Sequence, residues 1–375
     1  MMGRNFSQVK RIVVKVGTNL LSGPEGIDET RIEDIVRQIM ELEKSGYQIL
    51  LVSSGAIGMG AKEIGLSHSI SQVAMRQACA SIGQPILMHA YRRAFKKFGG
   101  ICSQVLLTRK ELDNRTTYNN LRNSVFTLLD LGVIPIFNEN DVVSTSEIGS
   151  AFGDNDRMSA FVASKIDAQL LVILTDVDGL YDENPKLTDA KLLKEIDQVT
   201  DKVFSYAGGA GSAFATGGMR TKLLAARIAS VAGCQSLIAS GYEKDILPRL
   251  LAGEEIGTCI HAVEKLKQRQ RWILNNNHSG AITVDAGAKD ALVNHNSLLP
   301  KGIIAVEGVF NAGDVVEIRD EGGVAFAKAV PYYDSTDIAA ISGHRSDEIS
   351  KLLGPGNKDV VFRPEDMVFL HESDE

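Results

Sequence analysis

Apolar runs of strand length alternate with stretches of helical period through the first two thirds of the chain. The first run, Arg11-Ile12-Val13-Val14-Lys15-Val16, is rich in β-branched residues and bounded by Gly17, which predicts a buried parallel strand. Asp28 can cap the helix that follows, with Ile32, Ile35, Val36, Ile39 and Leu42 on one face and an end near Gly46. Residues 48–52 predict a second buried strand. Residues 71–97 read as helix with a break or kink at Gly83 and Pro85, and 101–107 as strand. Further strands are expected at 133–137, 169–174 and 235–239, with helices between. This alternation specifies an α/β three-layer sandwich: a mainly parallel central sheet covered by helices on both faces.

The pattern changes near residue 261. Residues 261–271 are polar, with Lys265, Lys267, Arg269 and Arg271 in alternation, and read as a linker or connecting helix. Beyond them lie short runs at 281–284, 303–306 and 315–318, punctuated by Gly280, Gly302, Gly308, Gly313, Gly322 and Gly323. Short strands with glycine turns at this spacing predict a small C-terminal β-barrel. The expected organisation is a first domain over 1–260, a linker over 261–274 and a second domain over 275–365.

Composition narrows the function classes. With 375 residues, 44% of them apolar, the chain can bury one large core and one smaller one. It has no run of eighteen apolar residues and no signal-peptide core after Met1, so a cytoplasmic protein without a membrane partner is expected. The net charge of -7 is concentrated at the end: residues 271–375 carry nine Lys and Arg against seventeen Asp and Glu, which opposes nucleic-acid binding. Cys79, Cys102, Cys234 and Cys259 show no paired spacing and read as buried free thiols, and the seven histidines sit at no metal-ligand spacing, so no metal site is expected.

The candidate chemistry falls in the first domain. Lys15 ends a buried strand, where an unpaired charge is costly, and the Gly17-Thr18 turn behind it offers backbone N–H groups. Either it meets an anion such as phosphate there, or it snorkels out of an edge strand. Ser53-Ser54-Gly55-Ala56-Ile57-Gly58 follows a strand and opens a helix, as an anion site or as a plain serine cap. Asn138-Glu139-Asn140-Asp141 clusters acids and amides at a sheet edge, and a solvated turn would look the same. Gly153-Asp154-Asn155-Asp156 precedes a helix expected near Arg157; two acids and an amide in succession exceed what a cap needs and suit an ammonium group or a cation. Thr175-Asp176 through Gly179-Leu180-Tyr181 follows another strand and is either a nucleotide-binding loop or a turn. A glycine-rich loop, 208–211, leads to Thr216-Gly217-Gly218-Met219-Arg220-Thr221-Lys222, where glycines, a helix N-terminus and a lysine suit phosphate, although no Gly-x-x-x-x-Gly-Lys-Ser/Thr loop is present.

Taken in order, the motifs around Lys15, Ser54, Asn138–Asp141, Gly153–Asp156, Thr175-Asp176 and Thr216–Lys222 resemble the amino acid kinase family, and within it the kinases acting on the side-chain carboxylate of glutamate. The second domain is similar to a PUA domain, and the resemblance covers nearly the whole chain. It implies that Lys15 and Lys222 bind the ATP phosphates, with Asp156 orienting both lysines, as the catalytic set. Thr175, Asp176, Thr216, Gly217, Gly218, Met219, Arg220 and Thr221 would line the ATP site with them, and Ser54, Asp141 and Asn155 would hold L-glutamate. ATP and Mg²⁺, a homo-oligomer, feedback inhibition by proline, and handover of an acyl phosphate to glutamate 5-semialdehyde dehydrogenase in proline biosynthesis are implied in the same way. A carboxylate nucleophile, with a pKa of about 4.3, needs no general base, which suits the lack of an obvious catalytic histidine. The chain departs from the family at Ala215, where a further glycine is usual. Two competing readings stand: a kinase of this fold acting on another acid, and an RNA-binding PUA protein with a vestigial kinase site.

Overall fold

The computed structural model describes residues 4–23, 26–66, 70, 72–108, 111, 115–143, 155–183, 190–207, 218–263 and 266–370. Residues 1–265 and 266–375 form two compact units.

In the first unit the apolar runs become β1 (Arg11–Val16), β2 (Gln48–Val52), β3 (Ile101–Leu107), β4 (Val133–Glu139), β5 (Leu170–Thr175), β6 (Glu195–Ile196), β7 (Gln235–Ser240) and β8 (Thr258–Ile260). They lie in the order β3-β4-β2-β1-β5-β7-β8-β6, all parallel to their neighbours except β8, which runs antiparallel to β7. The helices that position the site are α1 (Glu29–Lys44), α2 (Ala56–Glu63), α3 (Val73–Lys97), α4 (Arg115–Asp130), α5 (Asn155–Lys165) and α6 (Gly218–Ser230). The Asp28 carboxylate caps α1 by accepting from the Arg31 N–H at 2.9 Å.

Strand alternation sorts side chains between two cores. Ile12, Val14 and Val16 pack on one face with residues of α1, α2 and α3, while Val13 points to the other face with residues of α4, α5 and α6. By the same period of two, Lys15 stands on the α5 and α6 side.

Two expectations change, and one helix start lies near where it was expected. Of the break or kink expected at Gly83 and Pro85, the break is absent: α3 runs through both residues. Gly83 and Gly60 of α2 face each other so closely that a Cβ on Gly83 would lie 1.8 Å from the Ala56 carbonyl oxygen, and one on Gly60 would lie 1.8 Å from that of Cys79. Glycine here is a packing requirement, and the contact it permits outweighs the one helix hydrogen bond lost at Pro85. Asn138 and Glu139 are the last residues of β4, which is paired on both sides, and are buried, not part of a solvated turn at a sheet edge. Helix α5 begins at Asn155, two residues before Arg157.

The second unit holds a five-stranded sheet made of β9 (Gly280–Val284), β10 (Ile303–Gly308), β11 (Val316–Arg319), β12 (Ala325–Ala329) and β13 (Met367–Phe369), ordered β10-β9-β11-β12-β13. The pairs are antiparallel except β9 with β11. Ile282, Val316, Ile318, Phe310, Ile338 and Phe362 form its core. The polar stretch before it includes a helix, Gln268–Asn275. Of the cysteines, Cys79, Cys234 and Cys259 are buried free thiols and Cys102 is half-buried.

Candidate active site

Lys15 is the penultimate residue of β1, paired on both sides by β2 and β5, so the edge-strand reading does not hold. Its ammonium is buried and meets Asp156 Oδ1 at 2.5 Å. Asp156, in the first turn of α5 and 1% exposed, takes Lys222 Nζ on its other oxygen at 3.1 Å. Thr221 Oγ1 also donates to that oxygen at 3.0 Å, and Lys222 Nζ is held by the Gly218 carbonyl at 3.1 Å. Burial alone would push the Asp156 carboxyl up, but the two lysines override it and hold its pKa below the usual carboxylate range. Two cations share one anion, so the buried set carries a net positive charge at the carboxyl end of the sheet. That is where ligands bind in open α/β sheets, and the surplus charge suits a phosphate.

Asp176 follows β5 beside this set. It accepts from Asn19 Nδ2 at 2.8 Å and from Thr175 Oγ1 at 3.1 Å, and the Asn19 bond is the main cause that lowers its pKa. The loop after β1 is thereby tied to the loop after β5. Gly218, Met219, Arg220 and Thr221 form the first turn of α6. Thr216, Gly217, the glycine-rich loop and Ala215 lie outside the described residues, as do Gly153 and Asp154.

On the other side of Lys15 opens a cleft of about 230 Å³ lined by Lys15, Thr18, Ser54, Gly55, Ala56, Ile57, Gly58, Arg76, Asn138, Glu139, Asp141 and Asn155. Ser54 does not cap α2: its Oγ donates to the Val16 carbonyl at 3.2 Å, and the N-cap is Gly55 at φ 101°, a left-handed conformation that favours glycine. The Asn155 amide gives both protons to structure, to the Ser53 carbonyl at 2.7 Å and to Asn138 Oδ1 at 3.0 Å, and its Oδ1 is buried without a partner among the described residues. Burial pushes the Asp141 carboxyl above its usual value, with Arg76 acting the other way. The cleft thus offers an unpaired amide oxygen and a carboxylate, which accept, together with a guanidinium, which donates.

The structure therefore brings together Lys15, Asp156, Lys222 and Thr221 as one ion-paired group, and Ser54, Asp141 and Asn155 as one cleft. Arg76 was not legible as a site residue, because it is one of several cations on a helix of mixed pattern. Cys259 of β8 and His261 just past its end, with Glu195 of β6, bring donor atoms within 4.8 Å of one another, a cluster that sequence spacing does not reveal. Its carboxylate is already engaged, by Arg4 Nε at 2.7 Å and His261 Nε2 at 2.8 Å, and burial pushes the Cys259 thiol up to about 12. An ion-pair network accounts for these contacts.

Residues 10–240 match the amino acid kinase family and residues 280–353 match the PUA domain. The chain is 46% identical over 376 residues to a glutamate 5-kinase of Methanosarcina acetivorans, covering 97% of each chain. It is 42% identical over 370 residues to a glutamate 5-kinase of Geobacter sulfurreducens, covering 97% of this chain and 99% of that one. Among solved structures, carbamate kinase from Giardia lamblia bound to AMP-PNP shares the fold at a TM-score of 0.50 and 18% identity, over 68% of this chain and 99% of that chain. With its buried lysine pair at the strand ends and a family match over more than half its length, the chain belongs to the amino acid kinase family.

Proposed function

We propose that the chain transfers the γ-phosphoryl group of ATP to the side-chain carboxylate of L-glutamate, giving L-glutamyl 5-phosphate, the first step towards proline. The observation that carries this reading is the net positive Lys15–Asp156–Lys222 set beside a cleft whose free groups match an amino acid. Asp141 and the Asn155 oxygen accept from the α-ammonium, Arg76 donates towards carboxylate, Ser54, whose hydroxyl proton goes to the Val16 carbonyl, lines the same wall, and the side-chain carboxylate reaches the Lys15 end. An N-acylated glutamate lacks the ammonium that these acceptors require, and a vestigial kinase site would not need to keep two buried lysines paired.

The attacking carboxylate is ionised at neutral pH, so no proton moves. Its oxygen forms a bond to the γ-phosphorus while the bond to the β,γ-bridging oxygen breaks and the electron pair leaves with ADP. Lys15 and Lys222 stabilise charge on the phosphoryl oxygens, and Asp156 keeps both ammoniums aimed at one point. Asp176, Thr175 and residues 216–222 hold the nucleotide. Asp156 has both oxygens engaged, so the residues suit a Mg²⁺ ion held by the nucleotide's phosphate oxygens and by water. When bound, that ion neutralises phosphate charge. A homo-oligomer, proline as inhibitor, a cytoplasmic location and handover to glutamate 5-semialdehyde dehydrogenase belong to the same reading; no helix among the described residues is long and apolar enough to cross a membrane.

The test is ADP release with Mg²⁺ and hydroxylamine as trap. Hydroxamate is expected from glutamate, with little from aspartate, N-acetylglutamate or carbamate; turnover of only one of the latter three sinks the assignment of substrate.

Asp141 adds a pH signature. It binds an ammonium only when ionised, and its raised pKa means that glutamate affinity falls earlier on acidification than for an ordinary aspartate. The sign for stability is the reverse. The folded state holds this proton more tightly than the unfolded one, so Asp141 costs stability as pH rises from the unfolded value through the folded one. Asp141→Asn is expected to raise the melting temperature slightly at neutral pH while raising KM for glutamate at least about tenfold. A lower melting temperature with unchanged KM would refute both halves.

A further inference from the structure

Gln84 does not line the cleft, yet its side chain is tied to it through a chain of amides. Asn138 Nδ2 donates to Gln84 Oε1 at 2.7 Å. Asn138 Oδ1 accepts from the Glu139 N–H at 2.9 Å and from Asn155 Nδ2 at 3.0 Å. Asn155 Nδ2 gives its second proton to the Ser53 carbonyl at 2.7 Å. Two members of this chain are backbone groups with fixed roles, since an N–H only donates and a carbonyl only accepts. They set the direction of every side-chain amide between them, however the amide ends are drawn. Asn138 must turn its oxygen to Glu139 and its nitrogen to Gln84. Asn155 must turn its nitrogen inward, which leaves Oδ1 as the end with no partner among the described residues.

We propose that Gln84 is a positioning residue for the acceptor half of the site. By holding Asn138, it fixes the Asn155 amide so that the cleft presents an oxygen to a protonated amine. Asn138 is buried, so without an acceptor at Gln84 its nitrogen stands unpaired. Rotating Asn138 to repair this sets nitrogen against nitrogen at Asn155 and N–H against nitrogen at Glu139. Asn155 then loses one of the two acceptors that aim it. The same turn of α3 carries Gly83, against which the first residue of α2 packs, so one helix turn sets both walls of the cleft.

This inference rests on the reading of the cleft as a glutamate site, and the experiment separates the two. Wild-type chain, Gln84→Met, which is similar in size but offers no strong acceptor, and Gln84→Glu, which keeps an acceptor facing Asn138, are assayed for KM and kcat with each substrate. Q84M is expected to raise KM for glutamate about tenfold while KM for ATP and kcat stay within about twofold, and Q84E to remain within about threefold of wild type. A wild-type KM for glutamate in Q84M overturns the inference while leaving the site intact. A tenfold rise in Q84E overturns it even if Q84M does not fold. Equal losses for both substrates in both variants overturn it as well, because they mark a purely structural role. Absence of glutamate turnover in the wild type removes the reading of the cleft, and this inference with it.

Discussion

Asp156→Asn is expected to destabilise the first unit by about 3–5 kcal/mol and to reduce kcat by at least about a hundredfold, because it removes the carboxylate that two buried ammoniums share. The substitution is nearly isosteric, so packing is preserved and the loss is electrostatic. Lys15→Met is the informative contrast. It leaves Asp156 paired with Lys222 and Thr221, so stability should fall by only about 1 kcal/mol while kcat drops about a thousandfold. Urea unfolding at neutral pH reads the first quantity and ADP release the second. A wild-type urea midpoint in Asp156→Asn would show that the pairing does not hold the lysines. The acid limb gives a further check. A depressed pKa means that the Asp156 contribution is complete above the unfolded value of about 3.9 and is lost as pH falls through the folded one. The Asp156→Asn chain should lack that part of the acid sensitivity.

Gly83→Ala is expected to cost about 4 kcal/mol, at the upper end for a single methyl group. At an exposed helix position the same change would stabilise by about 1 kcal/mol, because alanine is the better helix former. Here the added carbon would meet the Ala56 carbonyl at 1.8 Å and the Gly60 nitrogen at 2.5 Å, and both are backbone atoms that cannot rotate away. The helices must part, and α2 carries Gly55 and Ala56 of the cleft wall with it. Thermal unfolding and KM for glutamate should therefore worsen together in this variant. A chain with normal stability would mean that α2 and α3 are not in backbone contact.

Much of this was legible in sequence, for physical reasons that differ by residue. The strand of Lys15 is unambiguous because β-branched runs bounded by glycine have few other uses, and a lysine within one demands a partner. What periodicity could not supply is the partner's identity. The family resemblance, not the periodicity, points to Asp156, and the fold sets it against Lys15. The continuity of α3 was not legible because local rules penalise Gly83 and Pro85, whereas the packing that rewards Gly83 comes from α2, which the local pattern does not see. The Gln84 relay was hidden for a similar reason. Nothing in a lone glutamine within a helix tells which backbone groups will fix its direction. The cluster of Glu195, Cys259 and His261 arises from strand register alone.

The strand order has a consequence for how such a catalyst can change. Read across the sheet, β4 and β2 end in groups of the cleft, β1 carries Lys15 next to its last residue, and β5 runs into Thr175-Asp176. On the proposed function, acceptor, transfer point and donor occupy successive strands, so each could be rewritten by altering the loops of its own strands. Grafting the β2 and β4 termini of a relative that uses a different acid should retarget the acceptor and leave the handling of nucleotide unaltered. The lane through Lys15 is the part that cannot be traded.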